Sequence, residues 1–236
     1  MSGESLPYLL RADWMITTIL FMCLLLVSYV FSQGRKHLLL QLKSFVSNRE
    51  RGSLFDDVTT DDVRYTFLLV SHACLLMGLC VYNYFANTTP QLFQLYSHGG
   101  LLAVSVGCIA LLLGFKWLAY TFVNWIFFDK MRNSVWMSAY FNVIIWSGFL
   151  MLPVILLIVY FDLSLTLAVI FAIFVLVFIE MLLFFRCFSN FFKNFYGAFH
   201  LILYLCTLEI LPDILLWKII SITNDFLLQY RSEEHT

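Results

Sequence analysis

Charge is what this chain lacks most. Only 12% of its 236 residues are Asp, Glu, Lys or Arg, against 61% that are hydrophobic, whereas a globular domain carries about 25% charged residues. That shortage excludes a soluble core as the home of most of the chain, because there is too little polar surface to wrap it. A net charge of −1 gives no basic patch for nucleic acid. The chain also contains no Gly-rich phosphate loop, no His-Glu-x-x-His and no Gly-x-Ser-x-Gly, the patterns that would mark nucleotide binding, a zinc hydrolase or a serine hydrolase. Its six cysteines, Cys23, Cys74, Cys80, Cys108, Cys187 and Cys206, lie inside or at the edge of apolar runs, where a thiol acts as a small hydrophobic filler. No pair has zinc-site spacing, so neither a disulfide framework nor a metal or other cofactor is expected.

What the chain does have is long apolar runs. Roughly 20 apolar residues, rising 1.5 Å each, cross the hydrocarbon of a bilayer. Six stretches meet that length: Trp14 to Phe31, Thr66 to Ala86, Gly99 to Phe115, Val135 to Tyr160, Ser164 to Phe185 and Ala198 to Trp217. The expected fold is an all-α bundle of six transmembrane helices forming one membrane domain over residues 1–236. The first run follows a short arm with Glu4, Arg11 and Asp13 and lacks a small-residue cleavage pattern, so it is expected to be retained as a helix.

Cytoplasmic loops are enriched in Lys and Arg. Arg35, Lys36, Lys43, Arg49, Arg51 and Arg64 follow the first span, Lys116, Lys130 and Arg132 the third, and Arg186 and Lys193 the fifth. The other side receives Arg11, Lys218 and Arg231. Eleven against three places both termini outside the cytoplasm. The largest segment between spans, residues 32–65, is then cytoplasmic and is the expected contact for a protein partner, alongside the membrane helices. Within it Leu38, Leu39, Leu42, Phe45 and Val46 recur at helical spacing, as in an amphipathic helix at the headgroup layer or packed under the bundle. Asp56, Asp57, Asp61 and Asp62 crowd before the second span; Thr60 as a cap with two acids in the first turn accounts for them better than a cation site.

Small side chains suggest how the helices meet, since in lipid they let backbones approach. Gly100, Ala103, Gly107, Ala110 and Gly114 form a stripe on span three, and Ser164, Ala168 and Ala172 a shorter one on span five. Span three is expected to be buried and to pair with span five. Pro153 and Pro212 each remove a backbone hydrogen bond within a span.

The sharpest functional signal is a set of polar groups at bilayer depth, where an unpaired charge costs several kcal/mol. His72, Asn142, Glu180, His200, Tyr204, Glu209 and Asp213 are the candidates. By helical rise His72, Glu180 and Asn142 lie about 9–10 Å from the cytoplasmic boundary and share one layer. Glu209 and Asp213, four apart, share a helix face. Such carboxylates either bind or relay protons, as in pumps and transporters, or tie helices together, for instance Glu180 to His72.

The run Asp61-Asp62-Val63-Arg64-Tyr65-Thr66 before span two, Lys116-Trp117 after span three, Pro153 in span four, and above all HLILYLCTLEILP from His200 to Pro212 resemble an uncharacterised Bacteroidota membrane-protein family, domain of unknown function 4271. The likeness runs from about Leu9 to about Ile220. It implies a multi-pass protein of the bacterial inner membrane with no assigned activity, and marks Tyr204, Glu209 and Pro212 for testing. Three functional readings follow in order: a non-enzymatic subunit or scaffold in cell-envelope assembly or secretion, a proton-coupled transporter or channel using Glu180, Glu209 and Asp213, and an intramembrane lipid-modifying enzyme built from separate spans.

Overall fold

Hydrocarbon offers the backbone no hydrogen-bond partners, so an apolar chain crossing it must satisfy its amides internally, as helices do. The computed structural model describes residues 13–35, 38–39, 60–89, 97–127, 130–161 and 164–191, and further on 207, 210–215, 218 and 221–222. Apart from single residues at helix ends these are helical, with no strand among them. In order, the helices are α1 (Trp14–Gln33), α2 (Thr60–Thr88), α3 (His98–Phe127), α4 (Lys130–Tyr160) and α5 (Leu165–Phe191). Each contains a stretch long and apolar enough to span a membrane: Trp14–Gln33, Val63–Thr88, His98–Ile126, Trp136–Tyr160 and Leu165–Phe185. The chain is thus a multi-pass membrane protein. The sixth expected span falls mostly outside the described residues, of which 210–215 form helical turns.

Local chemistry sets the helix ends. Asp13 caps α1, its carboxylate accepting from the Met15 amide at 2.9 Å, the usual answer to the orphan donors of a first turn. At the other end the Gly34 amide donates to the Val30 carbonyl at 2.7 Å. Ser97 Oγ accepts from the Gly100 amide at 3.3 Å and opens α3 in the same way. Pro153 sits within α4 on an exposed face.

Burial ranks the helices. About half of the spanning windows of α2 and α4 is buried (50% and 56%), against 22%, 17% and 22% for α1, α3 and α5. So α2 and α4 form the centre, α3 flanks α2, and α5 flanks α4. Two lone glycines permit the central contacts. A Cβ on Gly78 of α2 would lie 2.6 Å from Val106 Cγ2 and 2.7 Å from its Cα on α3, and one on Gly148 of α4 would lie 2.8 Å from Ala73 Cβ on α2. Close approach of this kind maximises dispersion contact, which replaces the hydrophobic effect as the glue in lipid. Ile16, Leu20, Leu76, Leu79, Tyr82, Ile155 and Val159 fill the shared core.

Two expectations are corrected here. Span three is peripheral, and its small-residue stripe is not its packing seam: Gly100, Ala103 and Ala110 are exposed, and a Cβ on Gly107 or Gly114 would meet nothing within 4 Å. Larger residues, Leu102, Ile109 and Tyr120, turn inward instead. The pairing of spans three and five along matching stripes also fails. Ala168 is buried and Ala172 half-buried in the core that α5 shares with α4, while Ser164 is exposed. What joins α3 to α5 is a pair of charges.

Candidate functional site

Helix α3 does not stop at Phe115, where the apolar count ends it; it continues through Lys116 to Phe127. Ile109, Lys116, Tyr120, Val123 and Asn124 are buried, at the three- and four-residue spacing of one helix face. Lys116 therefore points into the bundle and is not a loop residue. At 1.5 Å per residue it lies about 27 Å from His98, within the apolar window His98–Ile126.

Two carboxylates receive it. Lys116 Nζ donates to Glu180 Oε1 of α5 at 3.0 Å and to Asp213 Oδ2 in the 210–215 turns at 3.0 Å. With both oxygens held on one nitrogen, the two carboxyl groups are separated by no more than twice that distance. The Lys116 side chain is only 6% exposed, while those of Glu180 and Asp213 are 27% and 35% exposed. The ammonium is thus sealed and the acids sit at the edge of the packing. Glu180 lies about 22 Å from Leu165 and about 8 Å from Phe185 by helical rise, so the cluster occupies one outer third of the spanning layer.

Aromatic residues wall this end of the bundle. The Tyr120 ring meets Trp136 edge-on at 5.4 Å and Tyr140 at 5.5 Å. Tyr140, one of the largest fully buried side chains, donates its hydroxyl to the Leu113 carbonyl at 2.9 Å and lies within electrostatic range of Lys116, Glu180, Asp213 and Cys74. The Tyr120 hydroxyl is buried with no hydrogen-bond partner among the described residues.

Of the polar residues singled out in the sequence, Glu180 and Asp213 come together. His72 does not join them: it is buried on α2 with its ring 6.2 Å from Phe149 of α4, and its Nε2 has no hydrogen-bond partner among the described residues. The expected His72–Glu180 tie is replaced by Lys116–Glu180. Asn142 is half-buried on α4. His200, Tyr204 and Glu209 lie outside the described residues. Lys116 is the residue that sequence reasoning missed. Its signal was the charge-free, mainly apolar run from Trp117 to Phe127, without Pro or Gly, which lets a helix continue through the charge.

A second polar group lies at the opposite end of the bundle, where the Asn87 amide donates to Asn83 O at 2.8 Å and Oδ1 at 3.1 Å and the Tyr82 hydroxyl sits 3.4 Å from His98 Nδ1. These bonds finish α2 and join it to the start of α3. No group of three or more His, Cys, Asp or Glu poised to hold a metal ion occurs among the described residues. Among the described residues, then, the cluster is one cation facing two acids in apolar surroundings, an arrangement suited to holding and exchanging a proton.

A family model described as "Domain of unknown function (DUF4271)" matches residues 16–220. No curated protein and no solved structure matches the chain.

Proposed function

Because the chain belongs to the domain of unknown function 4271 family, which carries no assigned activity, we propose its role from its own residues: a proton-linked transport or coupling protein of the bacterial inner membrane, with Lys116, Glu180 and Asp213 as its proton-binding group. The observation that carries this reading is the imbalance of the cluster among the described residues, two carboxylates on one buried ammonium. A purely structural tie needs one acid for one base. A second ionised acid would leave a net negative charge among apolar helices, at a cost of several kcal/mol. Binding a proton removes that charge and releasing it restores it, so occupancy by a proton and the packing of α3, α5 and residues 210–215 are linked.

In this reading the whole chain is one membrane domain of six spans. With Lys116 inside a helix, the Lys and Arg bias becomes ten against three and still favours cytoplasmic placement of residues 32–65 with both termini outside. A role as subunit of a larger cell-envelope or secretion assembly is compatible and has its own support: the outward stripe Gly100, Ala103, Gly107, Ala110 and Gly114 leaves α3 a surface that a partner helix can approach.

The test uses an apolar carbodiimide, which reacts with protonated carboxyl groups. Applied to the full chain in membranes across a pH series, it should modify Glu180 or Asp213, less as pH rises, and Glu180→Gln and Asp213→Asn should each abolish modification at their own position. Absence of modification at both acids over the whole series would refute the proton-binding role.

A further inference from the structure

We propose that the end of α1 and the middle of α4 form a seat for one anionic phospholipid, with the headgroup phosphate on Arg35 and an acyl chain against Trp146 and Phe149. The seat shares no residue with the cluster of Lys116, Glu180 and Asp213 and does not depend on the role given to it.

A cavity of about 340 Å³ is lined, among the described residues, by Phe31, Arg35, Leu38, Leu39, Trp146 and Phe149. Its size falls within the range of small-molecule sites, about 300–1,000 Å³. The way α1 ends builds one side. The Gly34 amide donates to the Val30 carbonyl at 2.7 Å and the Leu38 amide to the Gly34 carbonyl at 3.0 Å, which carries the chain past the helix end. Leu38 then joins Val30, Leu69 and Ile145 in a small core of its own. Aromatic rings of α4 build the other side. Phe149 meets Phe31 edge-on at 5.8 Å and Trp146 at 5.5 Å. Phe31 and Leu39 stay 54% and 55% exposed, so the cavity opens sideways, where lipid lies.

Polarity is ordered along the cavity as it is along a phospholipid. Thr17, Thr18 and Tyr160 share a second cavity at the opposite end of the bundle, which sets a common level on α1 and α4. Arg35 is about 27 Å from Thr17 along α1, whereas Trp146 and Phe149 are about 21 and 17 Å from Tyr160 along α4. The rings therefore lie about 6–10 Å deeper in the hydrocarbon than the cation. From Trp14, whose exposed indole suits an interface, Arg35 is about 32 Å away, one hydrocarbon thickness. An occupant with an anion at the boundary and an apolar tail running inward matches both parts of the lining. The planar fork of a guanidinium holds a phosphate by two parallel hydrogen bonds. Arg64 stands at the same end of the bundle: a Cβ on Gly34 would lie 3.4 Å from Tyr65 Cγ, and Arg64 is the exposed residue before Tyr65. It does not line the cavity, so it adds to the general attraction for anionic lipid without forming the seat.

The test places the full chain in phosphatidylcholine nanodiscs that contain a graded fraction of phosphatidylglycerol with brominated acyl chains, bromine being a contact quencher of indole fluorescence. The Trp146 signal is taken by difference from Trp146→Phe. Brominated phosphatidylglycerol should quench it at a mole fraction about fivefold lower than brominated phosphatidylcholine does, the factor that one basic residue contributes at a membrane surface. Arg35→Gln should remove the preference while both lipids still quench, Arg35→Lys should keep part of it, and Arg64→Gln should keep most of it. Equal quenching by the two lipids in the wild type would overturn the anionic seat. So would equal loss of preference in Arg35→Gln and Arg64→Gln, which would reduce the effect to surface charge. A Trp146 signal that neither lipid quenches would overturn lipid as the occupant and assign the cavity to protein.

Discussion

Replacing Lys116 with Met, which keeps most of the side chain's length and removes its charge, isolates the electrostatics of the cluster. Each 3.0 Å contact corresponds to about 5 kcal/mol of attraction at an effective dielectric constant of about 20. Repulsion between the two acids and the cost of drying all three groups oppose it. Removal of one partner from a buried ion pair costs about 3–5 kcal/mol, chiefly because the charges left behind are uncompensated. With Glu180 and Asp213 partly exposed, Lys116→Met belongs at the low end, about 3 kcal/mol. The same reasoning fixes a second number. In the triple variant Lys116→Met, Glu180→Gln, Asp213→Asn no charge is left stranded, and stability should return to within about 1–1.5 kcal/mol of wild type. Equilibrium unfolding in mixed micelles at neutral pH measures both. A triple variant as unstable as Lys116→Met alone would show that the lysine acts through packing, and the argument from unbalanced charge would fail.

The glycines give a contrast that does not depend on charge. Gly78→Ala, which drives a methyl against the Val106 backbone, should cost about 1–3 kcal/mol, whereas Gly107→Ala, which meets nothing, should be neutral or stabilise by up to about 1 kcal/mol; the same unfolding assay decides, and similar losses at both would contradict the packing described. For orientation, single cysteines placed within Ser47–Leu54 of a chain cleared of its own thiols should resist a membrane-impermeant maleimide applied from outside intact cells. Ready labelling there would invert the topology.

How much of this could be read from the sequence varied with the physics involved. Span position was legible, because length and hydropathy follow directly from the thickness of hydrocarbon; the first five apolar runs coincide closely with α1 to α5, apart from the end of α3. The third run was cut short at Phe115 because a hydropathy count treats any lysine as a boundary, while a lysine matched by two acids from elsewhere in the chain stays inside. Glu180 and Asp213 stood out as costly residues, but cost does not name a partner. Which groups meet depends on helix rotation and neighbour order, and neither is written in local spacing. The stripes misled for a related reason. Five small residues in a row drew attention on α3, yet the contacts that need a missing side chain are made by the isolated Gly78 and Gly148, which no pattern marks.

The distance along the chain between the members of the cluster has a consequence for biogenesis. Lys116 is followed by Glu180 after 64 residues and by Asp213 after 97. At elongation rates of about 5–20 residues per second, roughly 5–20 s separate the synthesis of the lysine from that of its second acid. Until Glu180 is made, α3 carries its cation without either of the acids that later hold it. The ammonium gains both partners only once Asp213 has been made, so completion of the cluster reports that the chain has been assembled at least as far as the 210–215 turns.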